Sequence, residues 1–565
     1  MAAAAVLALA AALQIHTLDD SDVWWHLASG RLIAARHAVP RVDPFSYTAP
    51  GAPWINPQWL FDLGLYGAWR CAGAAGVILG SGASFVGAFA TAYALARRRL
   101  PAWAAAGLVL LAVLAGIERY VPRPEAATFF LLALFLWVLD GEPSVAALVA
   151  LVGLEALWAN LHALSALGVA VLGLYAAGAV GAHWLPLPAG WRRGAERAGP
   201  LAGAAAAAAL AETLTPFGVA GALFPLRLLR VIRGGEVTSL TVIEHRPTAF
   251  GDLAPPAALA LAALLGLAAL AVVLGRRRLH AGRTLVAAAF VALGFLARRN
   301  VGLVGLGVLP LLADGLAGVA AAIDRRRLPA AALAAALAIG PLVATGGIVA
   351  GRCYDAAHLT RRFGLGVSPL LFPTRAVDFV AARAPGARVF NDDLLGGLVL
   401  WRHPTQPVFV DGRMQVYPPA IFGAYEGALA DPGTFAALAA RWGITAAVLY
   451  HPAPGRLELA ARIARLPGWR LAYLDGGGVV LLADGAPPGD PAGLGDPIPA
   501  PAGLVARLQA PREQALLHYQ RGRAALYLLG ARGRTAAARD FAAALRLWPG
   551  LTEAAVGLRA AGGDP

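Results

Sequence analysis

The chain reads as a polytopic α-helical membrane protein that carries a C-terminal soluble α/β domain and a short helical repeat tail. Three observations lead there. Of its 565 residues, 58% are hydrophobic and only 14% are charged, where soluble proteins carry about a quarter charged residues. Apolar stretches of membrane-spanning length recur through the first 351 residues. Arginine clusters punctuate those stretches with a regular alternation. Together these exclude a plain soluble enzyme and a disordered chain.

A span needs about 20 apolar residues, with a range of roughly 17–25. That criterion predicts about eleven spans, near 2–17, 73–96, 101–117, 124–139, 144–160, 163–182, 198–214, 253–274, 282–297, 300–321 and 328–350. The N-terminus lacks a basic segment, so it reads as a first span and not as a cleaved signal peptide. Asn160 and His162 predict a turn between the fifth and sixth spans. Arg97–Arg99, Arg192–Arg197, Arg276–Arg283 and Arg325–Arg327 follow spans two, six, eight and ten. With a cytoplasmic N-terminus all four fall inside, as the positive-inside rule requires. The outer side then carries loop 18–72, residues 118–123, loop 215–252, the turn at 298–300 and everything after 351.

There is no lysine, so all 47 basic residues are arginine and the net charge is +14. The inner loops hold 13 arginines against Asp140, Glu142, Glu196 and Asp324. Most of the excess is therefore a topology signal, and nucleic acid is not an expected partner.

Loop 18–72 is long and aromatic. HLASGRLIAARH predicts a short surface helix, and WLFDLGLYGAWR predicts a second one leading into span two. Trp24, Trp25, Trp54, Trp59 and Trp69 suit a headgroup region. In loop 215–252, FPLRLLRVIR predicts another interfacial helix, with Arg227, Arg230 and Arg233 near one face, followed by VTSLTVIEHRP.

Residues 1–351 thus form the membrane domain, and 352–484 a soluble domain. In the latter, TRAVDFVAARA, PGTFAALAARW and GRLELAARIARL read as helices. ARVFN, QPVFVDG, TAAVLY, WRLAYLD and GVVLLAD read as strands. A Pro/Gly linker spans 485–504. Residues 505–563 read as helices resembling one tetratricopeptide repeat, with Ala537, Phe541, Ala544 and Pro549 in register. One repeat cannot bury its own face. The tail is expected to dock on its own domain, with a protein partner as the alternative.

The densest chemistry is Asp19, Asp20 and Asp22, just before Trp24, Trp25 and His26. Carboxylates at a span's outer end are functional candidates by default. Such a pair can hold a divalent cation, or one member can act as a base. The alternative is a solvated acidic cap. D-x-D-x-W-W-H-L-x-x-G-R-x-I followed by H-x-V-P-x-x-D-P-F-S-Y-T-x-x-G-x-P-W resembles the first outer loop of the GT-C superfamily of membrane glycosyltransferases. That superfamily includes protein mannosyltransferases and lipid A aminoarabinose transferases. VPRPEAATF, LWANLH, VIEHRP, LARRNVGL, VFNDDLLGGLVLW and PVFVDGRMQVYPP extend the resemblance, in order, to one bacterial branch of these proteins.

The resemblance implies sugar transfer from a polyprenyl-phosphate donor to an envelope glycan, lipid or protein acceptor. Transfer would occur at the outer face of the bacterial inner membrane and invert the anomeric centre. It places the catalytic acid at Asp22, with Asp20 beside it and Asp43 as a second acidic position. Val23 stands where many relatives carry glutamate, and His26 near where many carry tyrosine. A Mg or Mn ion, if used, would sit at Asp20 and Asp22. Arg119, Arg123, Arg246, Arg298 and Arg299 fall on the same predicted side, and guanidinium forks suit phosphate. Lone arginines at helix ends commonly just snorkel. Arg298 and Arg299 stand out because basic residues are disfavoured on that side. Glu244, His245, His26 and Trp25 complete the candidate substrate contacts.

Other polar residues have blander readings. Asp392, Asp393, Gly396, Gly397, Asp411 and Arg413 suggest turns and domain packing more than a second active site. Asn160 and His162 suit a turn, and Glu155 and Glu212 suit ion pairs inside the bundle. Cys71 and Cys353 read as buried free thiols, with a disulfide as the alternative. Two functional alternatives to an enzyme remain open: a non-catalytic scaffold organising envelope partners through the C-terminal region, and a lipid-linked saccharide transporter.

Overall fold

The computed structural model describes residues 1–233, 243–357, 359–484, 491–496, 498 and 504–563. The V-T-S-L-T segment and most of the 485–504 linker lie outside them. Two compact units emerge. The first comprises Met1–Ile15, Ile55–Gly64 and Gly76–Ile348, and the second His16–Trp54, Leu65–Ala75 and Val349–Pro565.

The first unit is helical. A helix occupies each of the eleven apolar stretches, from Ala2–Gln14 and Trp59–Arg97 through to Val301–Asp324 and Arg327–Val349. Five helical segments of 21 to 39 residues are long and apolar enough to cross a membrane. The chain is thus built as a multi-pass membrane protein. The Trp59–Arg97 helix breaks at Ala72 and Gly73, where Gly73 takes φ +57°. That break separates the short amphipathic start from the apolar remainder. The turn after Trp158 is held as its polar residues suggested. Asn160 accepts from the Trp59 indole at 2.7 Å and donates to the Leu214 carbonyl at 2.9 Å, and His162 meets Thr128 at 2.7 Å.

Small residues set the closest helix contacts, as expected where lipid removes the hydrophobic drive between helices. A methyl group at Gly275 would lie 2.4 Å from the Gly315 Cα, and one at Gly178 would lie 2.4 Å from the Gly282 nitrogen. A polar network is buried in this unit. Arg283 bridges Asp314 at 2.8 Å and Asp140 at 3.0 Å, and Arg99 reaches the same two carboxylates at 2.9 and 2.8 Å. Two arginines read as topology markers therefore also lock helices together. Glu155 and Glu212, expected to ion-pair, do not. Among the described residues no arginine meets either; Glu212 accepts from Ser165 and Glu155 lies against Gly168.

The second unit holds a four-stranded sheet in the order β1-β2-β4-β3, with β1 Arg388–Asn391, β2 Ile444–Tyr450, β3 Trp469–Leu474 and β4 Gly478–Ala483. β1 runs parallel to β2, and the remaining pairs are antiparallel. The central strand β2 is apolar on both faces because helices such as Thr374–Arg383 and Pro432–Trp442 cover the sheet. Asp431 caps the latter helix by accepting from the Thr434 backbone N–H at 2.7 Å, and Gly443 ends it at φ +62°.

QPVFVDG forms no strand. Val408 makes only isolated bridges, to Ser46 and Val389, and the Asn391 side chain takes the Phe409 N–H at 2.9 Å. The Ser46 bridge shows the larger departure from expectation. Residues 16–54, read as part of the membrane domain, fold with residues 349–565. Trp25, Ala49 and Trp54 share one apolar core with Phe390, Phe409 and Phe435. Trp24, Trp25 and Trp54 are only 2, 4 and 1% exposed. They are core residues of this unit, not headgroup anchors. Tail residues Ala515, Ala524, Ala537 and Phe541 belong to the same core, so the tail helices dock on their own domain. Cys71 and Cys353 are exposed thiols, not the buried ones expected.

Candidate functional site

The candidate residues gather into two clusters, one in each unit.

In the second unit the acidic motif starts a helix, Asp22–Arg36. Asp20 Oδ1 accepts from the Asp22 N–H at 2.9 Å, so Asp20 satisfies one of the free donors of the first turn. Asp22 opens the helix half-buried, where the helix N-terminus favours negative charge. Asp19 is tied to Arg361 at 2.6 Å, and backbone bonds from Thr17 to Arg362 and from Leu18 to Gly366 pin the approach. Trp25 and His26 stack at 3.6 Å between ring centres. Arg31 holds the other end of the helix by donating to the carbonyls of Leu400 and Trp401, both at 2.8 Å.

Asp43 is buried and crowded with donors. Its oxygens accept from the N–H groups of Phe45 and Ser46, from the Ser46 hydroxyl, and from Arg413 at 2.8 Å. Arg413 is wholly buried. It also pairs with Asp411 at 2.7 Å and lies 4.7 Å from the ring centres of both Phe45 and Trp54. Burial opposes its charge, yet Asp411 and then Asp43 outweigh burial and hold its pKa above the ordinary guanidinium value. This geometry suits anchoring better than catalysis. Asp392 is likewise structural: it accepts from the Tyr450 N–H at 2.6 Å and from Arg456 at 2.5 Å. The F-N-D-D and V-D-G-R motifs thus hold the domain and the first loop together.

In the first unit, Arg119 meets Glu125 and Glu244, each at 2.5 Å. Arg299 contacts Glu125 and reaches His245 at 3.0 Å, and Arg123 approaches Glu244 at 3.5 Å. Beside them Arg298 grips Glu118 with two bonds of 2.9 Å, and its N–H donates to the Arg246 carbonyl at 3.0 Å. Arg246 itself is exposed and joins only at the rim. These arginines are placed by ion pairs, which a snorkelling side chain does not need.

Among the described residues, the guanidiniums of Arg119, Arg123 and Arg299 gather around the carboxylates of Glu125 and Glu244. Burial pushes the Glu244 pKa up, but Arg119, Arg123 and Arg299 more than reverse that and keep it ionised. His245 is pushed below its ordinary value by burial and then by Arg299. It stays neutral beside the arginines. Glu118 and Glu125 were not among the sequence candidates. Their signal was present as an acid flanking each arginine, in I-E-R and R-P-E. Among the described residues no group of three or more His, Cys, Asp or Glu side chains is arranged to hold a metal.

No protein-family model matches the chain, and no curated protein matches it. Solved structures do. The archaeal oligosaccharyltransferase AglB from Archaeoglobus fulgidus, in complex with an inhibitory peptide and a dolichol-phosphate, aligns at TM-score 0.53 and 13% identity. The alignment covers 81% of this chain and 71% of that one. The apo form of the A. fulgidus oligosaccharyltransferase aligns at 0.55 and 12%, over 86% and 74%. ArnT from Cupriavidus metallidurans bound to undecaprenyl phosphate aligns at 0.49 and 16%, over 86% and 98%. The fold is therefore shared with the two A. fulgidus oligosaccharyltransferase structures that align at TM-scores of 0.53 and 0.55.

Proposed function

We propose that the protein transfers a sugar from a polyprenyl-phosphate-linked donor to an envelope glycan, lipid or protein acceptor. The reaction would take place at the outer face of a bacterial inner membrane. The N-terminus would be cytoplasmic, about eleven helices would span the bilayer, and the second unit would be periplasmic. The observation that carries this reading is the gathering of Arg119, Arg123 and Arg299, with side chains 10–23% exposed, around Glu125 and Glu244. Such a cluster suits a phosphate, and guanidiniums fit phosphate oxygens in pairs. The liganded state of the archaeal neighbour, a dolichol-phosphate complex, supports the same chemical class.

Asp22 would act as the base. It takes the proton of the acceptor hydroxyl as that oxygen bonds to the anomeric carbon. The bond from that carbon to the phosphate oxygen breaks, and the polyprenyl phosphate leaves with the electron pair. One displacement inverts the anomeric centre. Asp20 and Asp22 are the residues that would hold a Mg or Mn ion, which would add charge neutralisation, and hard cations of this kind are met by one or two carboxylates plus phosphate. In a deletion strain complemented with Asp22→Asn, the protein should reach normal levels while the glycan product stays absent. Full restoration of the product would remove Asp22 as the base.

A further inference from the structure

Gly412 lies in the V-D-G-R turn, and the space where its side chain would be is filled by the acidic helix start. A methyl group there would lie 2.4 Å from Asp22 Oδ1 and 3.0 Å from Trp25 Nε1. The turn cannot slide away to make room. On one side Asp411 accepts from the Arg413 N–H and Nε, both at 2.9 Å, and from the Tyr417 hydroxyl at 2.9 Å. On the other side Arg413 is locked to Asp43 and between Phe45 and Trp54. The helix start is equally fixed. A methyl at Gly397 would lie 2.9 Å from the Trp25 backbone nitrogen, and one at Gly396 would lie 2.2 Å from the Val410 carbonyl oxygen.

These glycines differ in what they meet. At 396 and 397 the nearest atoms are backbone, so a side chain there must disturb the fold. At 412 the nearest atom is the tip of a carboxylate, which can rotate away. We infer that Gly412 is a positioning residue: its missing side chain fixes the orientation of the Asp22 carboxylate against the Trp25 indole. The inference rests on Asp22 as the base of the proposed transfer.

Gly412→Ala should leave the unfolding temperature unchanged and turn the carboxylate. A misplacement of about 1 Å can cost about 100-fold in rate. With the polyprenyl-phosphate sugars extracted from a deletion strain as donor pool, kcat of the full-length protein should fall by about that factor while the donor KM holds. Gly396→Ala should instead lose folded protein. A second readout needs no donor. In a Cys71→Ser/Cys353→Ser background, Asp22→Cys is labelled with N-ethylmaleimide, with and without Gly412→Ala. The labelling rate should change several-fold. An unchanged rate together with unchanged kcat would overturn the role of Gly412. If Asp22→Asn is active yet the labelling rate still shifts, the base assignment falls and the positioning stands.

Discussion

Both clusters are built from arginine and carboxylate, and they are built to opposite ends. In the second unit one guanidinium serves two carboxylates, fully buried and wedged between two rings. Its charge is met internally, by Asp411 and Asp43. In the first unit Arg119, Arg123 and Arg299 share Glu125 and Glu244, and Arg123 and Arg299 remain partly exposed. A closed cluster holds a loop in place. The more open one is the cluster we propose for the donor phosphate. Exposure separates the two clusters where residue type does not.

Two substitutions test that contrast, and two more test how burial sets the pH dependence of stability. The largest effect should come from Arg413→Ala, which strands two buried aspartates. Breaking a buried pair in this way costs about 3–5 kcal/mol, read as a large drop in unfolding temperature or as loss of folded protein. Arg299→Ala should barely move stability but weaken donor binding. Losing a hydrogen bond to a charged group costs about 1.5–3 kcal/mol, so the dissociation constant for undecaprenyl phosphate should rise by about 10- to 100-fold. If the two substitutions exchange phenotypes, the contrast fails.

Glu513 gives a smaller, pH-dependent effect. Burial pushes its pKa up to about 7 despite Arg362. Folding then favours the protonated form, so its stabilisation is complete below the ordinary glutamate value near 4.5 and is lost as pH rises through about 7. Glu513→Gln should flatten thermal stability between pH 5 and pH 8, with the gain at the upper end. His245 should give the smallest effect and the opposite slope. Its folded pKa lies below the usual 6.5, so stability is present above that value and is lost as pH falls below it. His245→Gln should reduce that loss in unfolding curves taken on the acid side.

Much of the architecture was legible because periodicity and span length report directly on burial. All eleven apolar stretches are helices, and four of the five strand-like segments form the sheet. The fifth, QPVFVDG, has a strand's composition, but the Asn391 side chain takes the bond that a neighbouring strand would have made. Trp24, Trp25 and Trp54 were misplaced for a related reason. An aromatic residue in a loop beside a span looks the same whether it meets headgroups or a protein core, and only the long-range partners Phe390 and Phe409 distinguish them. At the candidate site Arg119, Arg123 and Arg299 were named because the span alternation predicts them on one side, where Arg298 and Arg299 stood out as basic residues against the expected bias. Glu118 and Glu125 were missed although each flanks an arginine in I-E-R or R-P-E, because an acid at a helix end gains meaning only once the arginine it meets is known. Gly412 was hidden for the same reason: a glycine shows its purpose only when the atoms filling its empty space are known.

The most direct measurement is a lipid profile of cells lacking the protein, set beside cells complemented with wild type and with Asp22→Asn. A transferase that consumes a lipid-linked sugar predicts one polyprenyl-phosphate sugar that accumulates in the deletion strain, disappears with wild type and persists with Asp22→Asn. An identical polyprenyl-phosphate pool in all three strains would contradict it.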